Sequence, residues 1–318
     1  MVQKKEVIAY IASIIYASIF GLSFLFSKRA LEVAAPLQLI SFRFLLAFMM
    51  LTLLVVLRVV KVDYRGKSLK DLVLLSITQP VLYFIFETYG IQHSSSSYAG
   101  LIMALIPIMV SIMGIFFLEE YPSRVQWTFI LLSVVGVIYI VFKDSSSNSQ
   151  NTLLGTALLL MAVLVGSYYN ILSRKSSVHF SSIEITYFMM GAGAVVFNGI
   201  SIVLGWMDGA IHHYFQPLFN RDFLISILYL GILSSNLAFF LMNYALSALP
   251  ASKAVIFGNL STVVSIVAGV VVLKEAFYFY HFIGSALIIS GIVGTNYFNT
   301  RSTQKGVENL ALKEKSRL

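Results

Sequence analysis

The sequence predicts an all-α polytopic membrane protein whose ten transmembrane helices form two inverted five-helix repeats around a central cavity. Three observations predict this fold. Short polar breaks divide the chain into ten nearly uncharged stretches of about 18–25 residues, and about 20 apolar residues in a helix cross a bilayer core of roughly 30 Å. Only 11% of the 318 residues are charged, whereas 58% are hydrophobic. Finally, the second half of the chain repeats the pattern of the first.

The predicted spans are bounded by these polar breaks, which contain most of the charged residues and many Ser, Asn, Gly and Pro residues. In order, the spans are Val7–Ser27, Pro36–Leu57, Leu72–Ile91, Ser95–Leu118, Val125–Phe142, Leu153–Ser173, Ile183–Met207, Phe223–Leu246, Ala254–Leu273 and Phe277–Phe298.

Basic residues predict the orientation of these spans. If the spans alternate in direction, sixteen of the 22 Lys and Arg residues fall on the side of the N-terminus, five fall on the other side, and Arg43 lies within a span. Lys and Arg accumulate in cytoplasmic loops. We therefore expect a multi-pass protein of the plasma (inner) membrane with both termini in the cytoplasm. The net charge of +8 has this topological explanation, and no nucleic-acid partner is expected.

The domain organisation follows from the span order. Residues 1–143 form the first predicted repeat and residues 153–298 the second. The Ser- and Asn-rich segment 144–152 is expected to be a flexible linker, because it is too polar to pack in a core. The charged segment 299–318 is expected to be a cytoplasmic tail.

A shift of 155 residues superimposes the two halves without a gap. It aligns span ends as well as residues, and a looser match also pairs Arg29 with Arg174. The identical pairs include Tyr89 with Tyr244, Ser97 with Ser252, Ala99 with Ala254, Gly114 with Gly269 and Glu120 with Glu275. Because five spans is an odd number, the two halves would enter the membrane in opposite directions. Inverted repeats of this kind are common in secondary transporters.

Several motifs resemble those of the EamA-type members of the drug/metabolite transporter superfamily. Span four begins with small residues, contains Pro107 and ends at Glu120, its copy ends at Glu275, and Arg43 follows Pro36 in span two. The likeness covers the whole chain except the tail. It implies a ten-helix basket with helices 1, 3, 4, 6, 8 and 9 around a cavity, and a carrier that exports amino acids or related compounds.

Two charged residues, Arg43 and Glu87, lie clearly inside predicted spans rather than at their ends. A charge at the bilayer centre costs roughly 2.5–3.5 kcal/mol on insertion scales, so such residues usually face protein or water. One hypothesis is that Glu87, with Arg43 nearby, takes up and releases protons and couples transport to a proton gradient. The alternatives are a structural ion pair between the two residues, or an Arg43 side chain that extends towards the interface.

Polar and aromatic residues predict the lining of a cavity. Gln79, Tyr83 and Glu87 are spaced by four and share one face of helix 3, beside Pro80, which permits a kink. Asn236, Phe240 and Asn243 fall close to one face of helix 8. Further candidates for the cavity wall are Tyr16, Phe20, Met103, Asn170, Phe257 and Asn259. Hydrogen bonds between helices or packing against lipid are alternative roles for each of these side chains.

We therefore expect a secondary transporter of a small organic metabolite that works by alternating access. An uncoupled facilitator or channel is the first alternative, and a membrane-embedded enzyme is the second. The chain contains no cysteine and no G-x-x-x-x-G-K-[ST] motif, so thiolate chemistry and a P-loop ATPase are excluded. No catalytic residue, metal or other cofactor is expected. The expected partners are the substrate and the lipid bilayer, and a homodimer is left open.

Overall fold

The computed structural model describes residues 2–117, 123–146, 152–207, 211–249, 254, 257–291, 293–294 and 297. The predicted tail, 299–318, and most of the predicted linker, 144–152, lie outside these residues, as does Glu120.

Ten apolar helices follow one another along the described part of the chain. We number them α1 (Val2–Leu31), α2 (Pro36–Val56), α3 (Lys70–Gln92), α4 (Ser96–Phe117), α5 (Arg124–Ser146), α6 (Leu153–Ser176), α7 (Ser182–Met207), α8 (Arg221–Ala248), α9 (Gly258–Val272) and α10 (Phe279–Gly291). A short 3₁₀ helix, Ile211–Phe219, connects α7 to α8.

Seven of these helices, α1–α4 and α6–α8, are long and apolar enough to cross a membrane. The prediction of an all-helical polytopic membrane protein is thus supported. The predicted spans five, nine and ten correspond to α5, α9 and α10, whose apolar stretches are shorter within the described residues. Within the described residues, seven of the ten predicted spans therefore reach crossing length.

Two of the long helices are irregular near their middle. In α3, Gln79 has extended backbone angles (φ −146°, ψ 117°), and the Gln79–Pro80 peptide bond is cis. The turns around this break, Ile77–Leu82, are widened, as are the turns of α8 over Tyr229–Ala238. Widened turns inside α-helices frequently mark functional sites. A shift of 155 residues places the first widened segment inside the second.

The two halves of the chain interlock through their helices. Helix α1 packs against α8 and α9 of the second half, and α6 packs against α3 and α4 of the first. Across the middle, α2 packs against α7 and α4 against α9. When each helix is exchanged for its counterpart in the other half, the contacts of α1 become those of α6, whereas the α2–α7 and α4–α9 contacts map onto themselves.

A basic side chain closes a helix end in each half. The Lys28 ammonium group donates to the carbonyl oxygens of Ile91 (3.1 Å) and Ser94 at the end of α3. Arg174 Nη1 donates to the carbonyl oxygens of Leu246 (2.7 Å) and Ser247 (3.0 Å) at the end of α8. Cations at these positions satisfy free carbonyl groups and interact favourably with the helix dipole.

These two contacts lie at opposite ends of the bundle, which we call the Lys28 end and the Arg174 end. Helix α6 begins at the Lys28 end, where the Thr152 backbone N–H and hydroxyl group both donate to the His93 carbonyl oxygen (3.1 and 3.2 Å). It then runs for 24 residues to Arg174 and the end at Ser176. Helix α3 therefore ends at the Lys28 end, and α8 ends at the Arg174 end.

A tyrosine outside the long helices also joins the two halves at each end. At the Arg174 end, the Tyr64 hydroxyl donates to the Glu184 carbonyl oxygen (2.7 Å), and Lys67 pairs with the Glu184 carboxylate (2.8 Å). At the Lys28 end, the Tyr214 ring stacks on that of Phe42 in the first half, with 4.7 Å between ring centres, and its hydroxyl donates to Asn198 Oδ1 of α7 (2.6 Å). Burial raises the pKa of both tyrosine hydroxyls, so that they remain protonated donors.

Candidate functional site

A cavity lies between the two halves, with about 690 Å³ of empty space including its open mouth. It is bordered by side chains of α1, α2, α3, α4, α6, α8 and the start of α9. This set contains all six helices that the family resemblance placed around a cavity, together with Arg43 from α2. The sequence-predicted residues that border it are Tyr16, Phe20, Arg43, Gln79, Tyr83, Glu87, Met103 and Asn170.

The polar face of α3 forms one wall of this cavity. The Tyr83 hydroxyl donates to Glu87 Oε1 (2.9 Å) one helical turn away, and the Glu87 side chain is buried. The Tyr83 hydroxyl oxygen also lies 3.8 Å from the sulfur of Met103 on α4. A Cβ atom on Gly166 of α6 would lie 3.0 Å from the Tyr83 ring, so the absence of a side chain there makes room for Tyr83. Gln79, at the break in α3, is also buried at the cavity wall.

Arg43 of α2 is held in position by α8. Its Nε donates to Ser235 Oγ (2.8 Å) and its Nη2 to Ser234 Oγ (2.9 Å), both in the widened segment of α8. The guanidinium carbon lies 4.3 Å from the centre of the Phe84 ring, close enough for a cation–π interaction. Arg43 is therefore fixed in position by three side chains, although it borders the cavity.

Arg43 and Glu87 share the cavity without forming a direct ion pair. Among the described residues, Lys67 and Glu184 are the one oppositely charged pair within 4 Å of each other. The structural ion pair considered from the sequence is therefore absent as a direct contact. Both side chains border the same cavity.

Asn170 contributes an unused hydrogen-bond acceptor. Its Nδ2 donates to the Gly166 carbonyl oxygen one turn earlier in α6 (2.7 Å). Its Oδ1 is buried and receives no hydrogen bond from the described residues. A buried polar atom without a partner usually costs about 1–3 kcal/mol. Because Asn170 borders the cavity, a bound molecule with an N–H or O–H group could remove this cost.

Aromatic side chains enclose the apolar part of the cavity. Phe20 of α1 meets Phe239 of α8 edge to face, with 5.0 Å between ring centres, and Phe24 and Phe84 also border the space. The Tyr16 hydroxyl donates to the Ala254 carbonyl oxygen (2.6 Å), so that its ring rather than its hydroxyl is available to a ligand.

Four of the predicted site residues lie elsewhere in the structure. Asn243 is a core residue whose Oδ1 accepts from Tyr169 and Ser173 (both 2.7 Å). Asn236 Nδ2 donates to the Ala47 carbonyl oxygen (3.1 Å). Phe240 is half-buried outside the cavity lining, and the Phe257 ring packs 5.8 Å from that of Tyr10. The side chain of Asn259 lies outside the described residues.

Sequence reasoning missed other residues that border the cavity, including Ser23, Phe84, Phe239, Met242 and Ser261. In α8 the predicted face, Asn236, Phe240 and Asn243, is one position away from the face that reaches the cavity. Phe239 and Met242 border the cavity instead.

Comparisons with known proteins identify the family. The model of the EamA-like transporter family matches residues 7–142 and again residues 153–297. The uncharacterized transporter YcxC of Bacillus subtilis is 38% identical over 305 residues, covering 96% of this chain and 98% of that protein. The uncharacterized transporter YetK of the same organism is 27% identical over 298 residues, covering 92% of this chain and 88% of that protein.

A likeness to a solved structure supports the fold. A chain described as "Crystal structure of protein" superimposes with a TM-score of 0.63 at 15% sequence identity, covering 92% of this chain and 98% of the other. At this identity the likeness concerns the fold alone. The family matches cover both halves, and the similar proteins are named as transporters rather than enzymes. The chain therefore belongs to the EamA-like transporter family.

Proposed function

We propose that this chain is a secondary transporter that moves a small organic metabolite by alternating access between two inverted five-helix repeats. One observation carries the proposal: the cavity between the halves combines a guanidinium group, a carboxyl group and an unpaired amide oxygen with aromatic walls. Pockets that are mainly apolar with a few convergent polar groups are typical of small-molecule sites.

The inverted repeat is supported by three features of the fold. The packing partners of α1 and α6 exchange when the halves are exchanged. The widened segments of α3 and α8 coincide after a shift of 155 residues. The capped carbonyl groups of Ile91 and Leu246 are separated by the same 155 residues, and their caps, Lys28 and Arg174, end the first helix of each half.

The polar groups favour a substrate with an anionic group and a hydrogen-bond donor. A guanidinium group has five N–H donors, of which Arg43 uses two on serine hydroxyls. The others suit a carboxylate, which arginine binds with paired hydrogen bonds. Asn170 Oδ1 would accept from an amino or hydroxyl group, and the rings would cover an apolar body. We therefore propose an amino acid or a related compound, with export across the plasma membrane as the direction.

Glu87 is the group that we propose for proton coupling. It is the one carboxyl group among the described residues that border the cavity, and no cation lies within 4 Å of it. A carboxyl group that is not neutralised by a direct partner can respond to a proton or a charged substrate in the same cavity. Arg43 is the fixed charge that would sense this change.

A second candidate, an uncoupled facilitator, is favoured by the hydrogen bond between Tyr83 and Glu87. In this alternative the carboxylate only orients the tyrosine ring. Both candidates use the same cavity, and they differ in whether a gradient of protons drives accumulation of the substrate.

The test is transport by the purified protein in liposomes with an imposed pH gradient. We expect a carboxylate-containing metabolite to accumulate above its external concentration, and its amide analogue to be transported less. In Arg43→Gln, the preference for the carboxylate over the amide should disappear, whereas Arg29→Gln, outside the cavity, should retain it. Equilibration without accumulation would favour the facilitator, and equal transport of both compounds by the wild type would contradict the role of Arg43.

A further inference from the structure

One contact at the Lys28 end joins the second half of the chain to the first through a carboxylate. Glu275, three residues after the end of α9, accepts hydrogen bonds from the backbone N–H groups of Ser96 (2.6 Å) and Ser97 (2.9 Å) and from the Ser97 hydroxyl (2.5 Å). The first turn of α4 has free N–H groups and a partial positive charge, which favour an anion. Glu275 therefore serves the start of α4.

The backbone around Glu275 is shaped for this contact. Lys274 adopts a positive φ of 58°, uncommon for a residue with a side chain, and this turn ends α9 and directs Glu275 back along it. The Glu275 N–H then donates to the Gly269 carbonyl oxygen (3.1 Å). A Cβ atom on Gly269 would lie 2.2 Å from Ser97 Oγ and 2.3 Å from Glu275 Oε2, so any larger residue would push the partners apart.

The same interface continues from Glu275 towards the cavity. Ser265 Oγ of α9 donates to the Ser96 carbonyl oxygen and Thr262 Oγ1 to the Gly100 carbonyl oxygen, both at 2.9 Å. One turn further, Met103 of α4 and Ser261 of α9 border the cavity itself. Between the cavity and the Lys28 end, α4 and α9 are thus held together by polar contacts along their length.

The carboxylate contact can open at low cost to either helix. Glu275 is half-buried, so water can replace its hydrogen bonds when it leaves α4. Helix α4 keeps a cap of its own, because Ser95 Oγ accepts from the Tyr98 N–H (3.1 Å). Lys28, whose charge interacts with that of Glu275, remains bonded to the end of α3.

We propose that Glu275 is the latch of a gate, which closes the cavity towards the Lys28 end while it holds α4 and opens it when it releases α4. This inference rests on the proposed alternating access. Glu275 is a positioning residue in this mechanism, since it contacts no substrate.

A single-cysteine reporter tests the latch, because the natural chain contains no cysteine. Ser23→Cys places a thiol at the cavity wall, and Asp222→Cys, in a separate protein, marks the exposed surface of the Lys28 end. A membrane-impermeant maleimide is applied from the side on which the Asp222→Cys protein reacts. Adding Glu275→Gln to the Ser23→Cys protein should raise its labelling rate about tenfold, the effect expected for loss of one hydrogen bond to a charged group.

Two further variants complete the design. Ser97→Ala removes only the hydroxyl donor and should raise the labelling rate less than Glu275→Gln. Glu32→Gln, which changes an exposed carboxylate at the same end, should leave the rate unchanged. Equal labelling in the parent, Glu275→Gln and Ser97→Ala proteins would overturn the latch. Labelling needs no substrate, so this result is independent of the liposome assay. Failure to find transport would reject the proposed function. Faster labelling of the Glu275→Gln protein would still establish the gate.

Discussion

The two halves of the molecule share one packing plan but differ in the chemistry that they present to the cavity. On α3, Gln79, Tyr83 and Glu87 line one wall. The positions 155 residues later on α8 hold Ser234, Ala238 and Met242. Ser234 binds Arg43, Ala238 is buried, and Met242 borders the cavity with an apolar surface. The carboxyl and phenol groups of the first half therefore have no polar counterpart in the second.

This difference separates the residues that pack the helices from the residues that face the cavity. The cations that cap α3 and α8 contribute to the helix packing, and each half has one such cation. In the proposed mechanism the residues that face the cavity would contact the substrate, and they differ between the halves. The proposal thus assigns the shared packing to the movement of the halves and the differing cavity residues to recognition.

Among the variants that test this comparison of the two halves, Arg43→Gln is expected to have the largest effect. This change removes the fixed cation that α8 holds for the site, and we expect kcat/KM for an anionic substrate to fall about 10- to 100-fold, the equivalent of one charge-assisted hydrogen bond of about 1.5–3 kcal/mol. Uptake kinetics in proteoliposomes measure it. A wild-type rate would show that the cation from the first half does not take part in recognition.

Next in size is the effect of Glu87→Gln, which removes the carboxyl group that distinguishes α3 from α8. The amide keeps the shape and can still accept from Tyr83, but it cannot exchange a proton. Accumulation driven by a pH gradient should be lost while equilibrative flux remains, with Glu32→Gln as the unchanged control. If the accumulation ratio at several pH values stays at that of the wild type, Glu87 has a structural role only.

A smaller effect is expected for Gly166→Ala. The added methyl group would lie 3.0 Å from the Tyr83 ring and displace it from Glu87. Overpacking of this kind typically costs about 1–3 kcal/mol, so transport should fall several-fold. Gly199→Ala is the matched control, because a Cβ atom there meets nothing within 4 Å. Equal activities of the two variants would show that the position of Tyr83 is not critical.

The smallest effects concern the caps that the two halves share. Lys28→Gln and Arg174→Gln should each lower the free energy of unfolding by about 1 kcal/mol, since each removes a cation from a helix C-terminus. Thermal unfolding in detergent would show two similar falls in Tm, and Arg29→Gln should show none. A fall in only one of the two variants would break the equivalence of the halves.

Much of this arrangement could be predicted from the sequence. The apolar stretches predicted the helices of α1–α4 and α6–α8, and spacing by four correctly grouped Gln79, Tyr83 and Glu87 at one wall. The alignment of the halves was less exact, since it paired Arg174 with Arg29, whereas Lys28 makes the equivalent contact. Neighbouring cations at a helix end cannot be distinguished without knowing the direction of each side chain.

The features that could not be predicted depend on irregular backbone geometry and on contacts between residues that are far apart in the sequence. Nothing in the local spacing of Asn236 and Asn243 signals the widened turns of α8, and the face of α8 that reaches the cavity lies one position away from the predicted one. The serine partners of Arg43 lie 191 and 192 residues away in the chain. Glu275 and its partners are likewise separated by 178 and 179 residues. Such pairs become visible only when the helices are assembled.

The interlocked packing of α1 with α8 and α9, and of α6 with α3 and α4, has a consequence for assembly. Thr152 attaches the start of α6 to the end of α3 through its own hydrogen bonds, so the position of the second half does not depend on a covalent connection. Two polypeptides, ending at Ser146 and starting at Thr152, should therefore find each other in the bilayer when they are synthesised separately.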